Sequence, residues 1–211
     1  MNLLAIETSV PTATLCLRQG ERGLTVRRSW TAERNHDAWL FPALQEAMAN
    51  LGEEALDAIL IGAGPGSYGG VRVALAAGVG IAAVTGAPLI SLCSWEQLAG
   101  GEACIISDAR RGGWTVRRPD GTIEVLTPEE LQTLAATGTP LLSTEPAGAL
   151  DKLGITPVAE ALAPTAEGLV QTWLSMTEEQ RAAAAAKPAE PIYVRPPHIT
   201  AALHKPWEIR K

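Results

Sequence analysis

The sequence predicts an α/β fold on a mixed sheet, and three observations predict it. Near the N-terminus, three short runs of apolar or alternating residues are joined by tight links. Next come β-then-α steps, the second broken by a glycine-rich turn (AILIGAGPGSYGGVRVALAAGVG, residues 58–80), and the same rhythm resumes after residue 100. The chain has 211 residues, 46% hydrophobic and 19% charged, enough for one large domain or two small ones with a real core.

The elements follow in order. Asn2 to Ile6 reads as a buried strand, and Glu7-Thr8-Ser9 as a turn. Thr12 to Leu17 and Leu24 to Trp30 alternate apolar and polar residues in the period of half-buried strands, giving an antiparallel meander. Asn35 is placed to cap a helix whose Leu40, Leu44, Ala47, Met48 and Leu51 share a face; Pro42 should bend it and Gly52 end it. Asp57 to Ile61 is a buried strand, followed by the glycine loop, a helix from about Gly70 to Thr85, and a strand from Pro88 to Leu92. Ser94-Trp-Glu-Gln97 has the letters of a capping box, so a short helix is expected there. The order β-β-β-α-β-α-β-α implies a sheet antiparallel at its start and parallel afterwards.

In the second half, Ala103 to Ser107 is a strand, and a weaker strand pair flanks Pro119-Asp-Gly-Thr122. Thr127-Pro-Glu-Glu130 opens a helix with a cap, a proline at the first position and a closing glutamate. Pro140 to Ser143 is a strand; helices run from the cap Thr165 through Trp173, and from Thr177 to Ala186. Residues 190–211 are Pro-rich and mildly basic and read as an extended tail.

Net charge is −6, so no global basic field draws the chain to nucleic acid. The N-terminus lacks a secretory pattern, and the apolar stretch Val73 to Val84 reads as too short to span a bilayer. Cys16, Cys93 and Cys104 are separated and lie in apolar runs, which suggests reduced, buried thiols and a cytoplasmic protein. No histidine pair or Cys-x-x-Cys is spaced for a metal, so none is expected. Most of the six tryptophans read as core or interface anchors; Trp207, in the basic tail, could stack on a base.

Candidate chemistry concentrates in three places. Strand, glycine turn and helix start together form a natural anion site through Gly64, Gly66 and Ser67. Against it, the loop has no Lys-Ser/Thr ending, and the next strand ends without an acidic residue for a ribose. The alternative is close packing, for which Gly78 and Gly80 in a small-residue helix speak. Glu7, Thr8 and Ser9 end the first strand, where an acid and hydroxyls could meet a metal-bound phosphate or simply satisfy a turn. Asp108-Ala-Arg-Arg111 could bind an anion or form a surface ion pair; His36 beside Asp37 has no nucleophile near it in sequence, and no catalytic residue is assigned.

Five stretches taken together resemble the TsaB (YeaZ) family: LLAIETS, NHDAWLFPAL, GAGPGSYGGVRVALAAGVGIA, SDARRG and PIYVRPPHIT. The resemblance implies an actin-like, Hsp70-like and sugar-kinase-like (ASKHA) fold, with two tandem ribonuclease-H-like lobes over residues 1–100 and 101–190, the second shortened after Gly113, and a tail over 191–211. It implies a non-catalytic subunit that pairs with a TsaD-type catalytic subunit for threonylcarbamoylation of tRNA adenosine 37 at N6. A TsaE-type ATPase would join, tRNA would be met through the complex, and ATP or ADP would belong to the complex, with no cofactor tightly held by this chain. Glu7, Thr8, Ser9, Gly64, Gly66 and Ser67 would form a vestigial phosphate loop, with Glu7 where the family usually has Asp. His36, Leu40, Leu44, Met48, Val71, Ala74, Ala77, Gly78 and Ile81, on the two first-lobe helices, would meet the catalytic subunit, or a second copy of this chain in its absence. Two other readings stay open: an ATP-dependent phosphotransferase of the sugar-kinase type using the glycine loop, and a glycoprotease-like protein, for which no zinc or nucleophile arrangement is visible.

Overall fold

A computed structural model of the chain describes residues 1–31 and 37–194. Strands β1 (Asn2–Glu7), β2 (Thr12–Gln19) and β3 (Gly23–Thr31) form the expected antiparallel meander, with Leu4 opposite Leu17 and Ile6 opposite Leu15. Strands β4 (Ala58–Gly62) and β5 (Leu89–Leu92) join parallel to β1, giving the order β3-β2-β1-β4-β5. The sheet is therefore antiparallel on one side of β1 and parallel on the other, as the sequence predicts.

Period-two alternation sends successive side chains of β1 to opposite faces, and both faces are apolar. Leu4 and Ile6, with Leu15, Ile59 and Ile61, pack under helices α1 (Asp37–Leu51) and α2 (Tyr68–Thr85). Leu3 and Ala5, with Cys16, Leu60 and Leu92, pack under the later helix α4 (Ala166–Ser175), through Leu169, Val170 and Trp173. Fully burying one such side chain contributes about 1.5–3 kcal/mol, so two filled faces give this sheet a strong core. Helix α1 accommodates Pro42 within its length and ends at Gly52, left-handed at φ 65°, whose amide donates to the Met48 carbonyl.

The second sheet comprises β6 (Cys104–Asp108), β7 (Trp114–Arg117), β8 (Ile123–Leu126) and β9 (Leu141–Ser143) in the order β8-β7-β6-β9. Helix α3 (Pro128–Ala136) begins with the complete capping box at Thr127 and Glu130 and covers one face through Leu131. Helix α5 (Glu178–Ala185) follows α4, and both helices lie against the first sheet although they come after the second in sequence. Arg117 of the second sheet, whose side chain is 7% exposed, donates to both carboxylate oxygens of Glu96, in the turn after the first sheet, at 2.8 Å.

Three expectations change. Ser94 to Gln97 does not form a capping box: the segment is a 3-10 turn over Glu96–Leu98 with no side-chain cap. Ser94 Oγ instead accepts from Gly64 N at 3.0 Å, and Gln97 Oε1 accepts from Thr165 N at 2.8 Å. Cys93 is half-buried, whereas Cys16 and Cys104 are buried as expected, and all three are free thiols. The apolar stretch extends over all 18 residues of α2, long and apolar enough to cross a membrane by length and composition. One side of that helix is held in the protein, however, by Val71, Ala74 and Gly78 against the sheet. Among the tryptophans, Trp30, Trp95 and Trp173 are buried, but Trp39 is 61% exposed; Asn35, His36 and Trp207 lie outside the described residues.

Candidate functional site

The turn after β1 and the glycine loop after β4, far apart in sequence, lie against each other at the carboxyl ends of adjacent parallel strands. Thr8 Oγ1 donates to the Gly70 carbonyl at 2.7 Å, and Ser67 N donates to the Ser9 carbonyl at 2.6 Å. The glycines make this approach possible. A Cβ on Gly70 would stand 1.8 Å from the Thr8 carbonyl oxygen, and one on Gly66 would stand 2.2 Å from that of Ser9. Gly64 takes φ 91°, a conformation that side chains other than glycine rarely adopt. Ser67 caps α2 by accepting from Gly70 N at 3.2 Å.

Amides that could face an anion are largely spent within the protein. Glu7 curls back so that Oε1 accepts from Ser9 N at 2.7 Å, while Gly64 N goes to Ser94 Oγ and Ser67 N to Ser9 O. Glu7 is wholly buried, its Oε2 makes no hydrogen bond, and a Cβ on Gly62 would lie 2.0 Å from that oxygen. Burial pushes the Glu7 carboxyl above its ordinary range, with the Ser9 and Ser94 hydroxyls and the Ser9 and Thr8 amides opposing. The direction is set by burial, because an ionised carboxylate with one unpartnered buried oxygen costs several kcal/mol. Gly64 N, Ser67 N and Ser9 N are thereby engaged within the chain and are not free to face a phosphate.

On the outer side of α2 lies a feature of another kind. Between α1 and α2 runs an open apolar groove of about 690 Å³, walled by Leu40, Phe41, Leu44 and Met48 on one helix and by Val73, Ala77, Ile81 and Val84 on the other. Phe41 is 58% exposed and Val84 is 87% exposed. Of the residues the resemblance points to, the structure gathers Leu40, Leu44, Met48, Ala77 and Ile81 here. Val71, Ala74 and Gly78 instead face the sheet and are buried, with Gly78 against Leu89 and Ile61. Sequence reasoning missed Phe41, Val73, Ala76, Gly80 and Val84, although 73, 76–77, 80–81 and 84 recur at the helical period and could have marked the stripe.

The third candidate stays local. Arg110 donates to Asp108 from its backbone, at 2.7 Å, and from its guanidinium, at 3.3 Å, in a turn where Arg110 and Arg111 both take positive φ. Glu145 Oε1 accepts from Ser107 Oγ and Asp108 N and so braces the strand end below. Burial raises the Cys16 thiol to about 12, with Glu167 adding to the effect and Arg27 opposing it, so this cysteine is no nucleophile. Among the described residues, no three His, Cys, Asp or Glu side chains gather as for a metal ion.

Comparison with known proteins gives a consistent answer. Residues 30–131 match the family model described as TsaD, tRNA N6-adenosine threonylcarbamoyltransferase. An uncharacterized protein of Mycobacterium tuberculosis is 30% identical over 115 residues, 52% of this chain and 54% of the relative. The tRNA threonylcarbamoyladenosine biosynthesis protein TsaB of Haemophilus influenzae is 33% identical over 101 residues, 47% of this chain and 42% of the relative. The chain thus spans about half the length of the curated relatives it matches. The solved structure of YeaZ from Pseudomonas aeruginosa superposes with a TM-score of 0.68 at 26% identity, covering 91% of this chain and 99% of that one. By sequence and by fold, the chain resembles the TsaB (YeaZ) proteins.

Proposed function

We propose that the chain is a non-catalytic scaffolding subunit of tRNA threonylcarbamoyladenosine synthesis, docking through the α1–α2 groove on a TsaD-type catalytic subunit that modifies N6 of adenosine 37. The groove carries the reading. It is an apolar channel edged by an exposed phenylalanine and an exposed valine, on a helix pair whose other side is fully packed. Kinship argues for the partner: the transferase model matches the very stretch that contains both helices, so the partner offers an equivalent pair, and like surfaces meet about a pseudo-twofold axis. The engaged amides around Glu7 and Ser9 support a subunit that brings surface and leaves the chemistry to its partner.

In this reading the two sheets are the lobes of an ASKHA fold, the second reduced. A TsaE-type ATPase joins the pair, ATP or ADP is handled by the complex, tRNA is met through it, and the assembly works in the cytoplasm. A phosphotransferase would need loop amides such as those of Gly64 and Ser67, which Ser94 and Ser9 already occupy.

The test is co-expression with the transferase from the same genome, followed by affinity capture. The unaltered chain should bring the transferase down. Ala76→Arg and Val84→Lys, both at exposed groove positions, should lose it while keeping circular dichroism unchanged. Equal capture by all three proteins would discard the groove as the docking surface. A chain that forms only a dimer of itself in the transferase's presence would discard the partner.

A further inference from the structure

After α5 the chain turns back across the carboxyl ends of β4 and β5. Glu190 N donates to Ser91 Oγ at 3.3 Å, and Ile192 N donates to the Ala63 carbonyl at 2.8 Å. Tyr193 packs on Tyr68, the first residue of α2, with ring centres 5.2 Å apart and planes inclined by 31°. One turn along, the Arg72 guanidinium lies 5.2 Å from the Tyr68 ring centre. A Cβ built on Gly64 would come within 3.7 Å of the Ile192 carbonyl oxygen, so the segment passes over the start of the glycine loop and leaves residues 66–69 exposed. In open α/β sheets this is the side from which ligands reach the strand ends.

We propose that residues 188–194 are a strap that clamps the first turn of α2, crosses Gly64 and opens before the rest of the fold. What it holds is firm: Ala63 is buried at the end of a core strand. None of its residues is fully buried: Ala189, Pro191, Ile192 and Val194 are half-buried, and among the described residues it is held by two hydrogen bonds and a ring contact between tyrosines that are 52% and 51% exposed. Segments with few buried contacts open at low free energy, independently of the core. The strap thus ties the C-terminal end of the described chain to α2, whose later turns wall the groove, whether or not the groove docks a transferase.

Hydrogen–deuterium exchange of the full chain, read by mass spectrometry, tests this. Ile192→Pro removes the donor to Ala63 and leaves the core untouched; Tyr193→Ala removes the ring. Exchange across residues 66–72 should rise about fivefold in Ile192→Pro, the share of one hydrogen bond, and less in Tyr193→Ala, while β1 and β4 stay protected. Unchanged rates across 66–72 in both variants would overturn the strap, and so would a parallel rise in β1 and β4, which would make the segment part of the global fold. If Ile192→Pro does not fold, Tyr193→Ala decides alone, since its side chain is half exposed.

Discussion

The first sheet has two apolar faces, and the protein finishes them differently. On one, the helix at 166–175 presses Ala166, Leu169, Val170 and Trp173 into the strands, all buried. On the other, the helices at 37–51 and 68–85 seal the strands with Leu40, Ala47, Val71 and Ala74, and then turn Phe41, Val79 and Val84 outward. The first face is closed by its own chain, and the second carries apolar side chains beyond what its core needs. Surplus of that kind is what the proposed docking would use.

If the closed face is pure core, cutting into it should cost most. Trp173→Ala should lose about 3–5 kcal/mol in urea unfolding, and a loss under 1 kcal/mol would mean the face is less filled than its burial implies. Gly70→Ala is next: its new methyl would meet the Thr8 carbonyl, a backbone atom that cannot swing aside, for about 1–3 kcal/mol. Gly80→Ala, with nothing near its Cβ on the open side of the same helix, should stabilise by up to about 1 kcal/mol.

The buried acid sharpens the contrast through pH. The folded Glu7 carboxyl holds its proton more tightly than the unfolded one, so the folded state binds more protons there. Its contribution is therefore fully present below the ordinary carboxylate value and is lost as pH rises through the raised folded value. Glu7→Gln keeps an oxygen for Ser9 N and should remove that part of the pH dependence; the same slope of unfolding midpoint against pH in both proteins would contradict a carboxyl raised by burial. The smallest effects belong to the surface. Arg27→Ala, which breaks a pair between an exposed arginine and a half-buried Glu167, and Phe41→Asp, at a side chain that is 58% exposed, should each change stability by under about 1 kcal/mol.

Local chemistry made much of the fold legible. Alternation set the meander, and Thr127 and Thr165 announced their helices because a cap and its partner lie within one turn. Ser94 and Gln97 misled because the same letters serve distant partners, Gly64 and Thr165, which no local rule can see. The second helix misled for another reason: apolar all round, it has no polar stripe to say which side is out. Hence Ala74 and Ala77 read alike in the sequence, yet one is core and the other lines the groove. The meeting of Thr8 with Gly70 was illegible because only the parallel pairing of their strands brings them together.

Titration calorimetry of the purified chain against the transferase from the same genome tests the central claim most directly. The account predicts saturable one-to-one binding, weakened at least about tenfold by Phe41→Asp and unchanged by Arg27→Ala. Binding equally tight in all three proteins, or no binding by the unaltered chain, would contradict it.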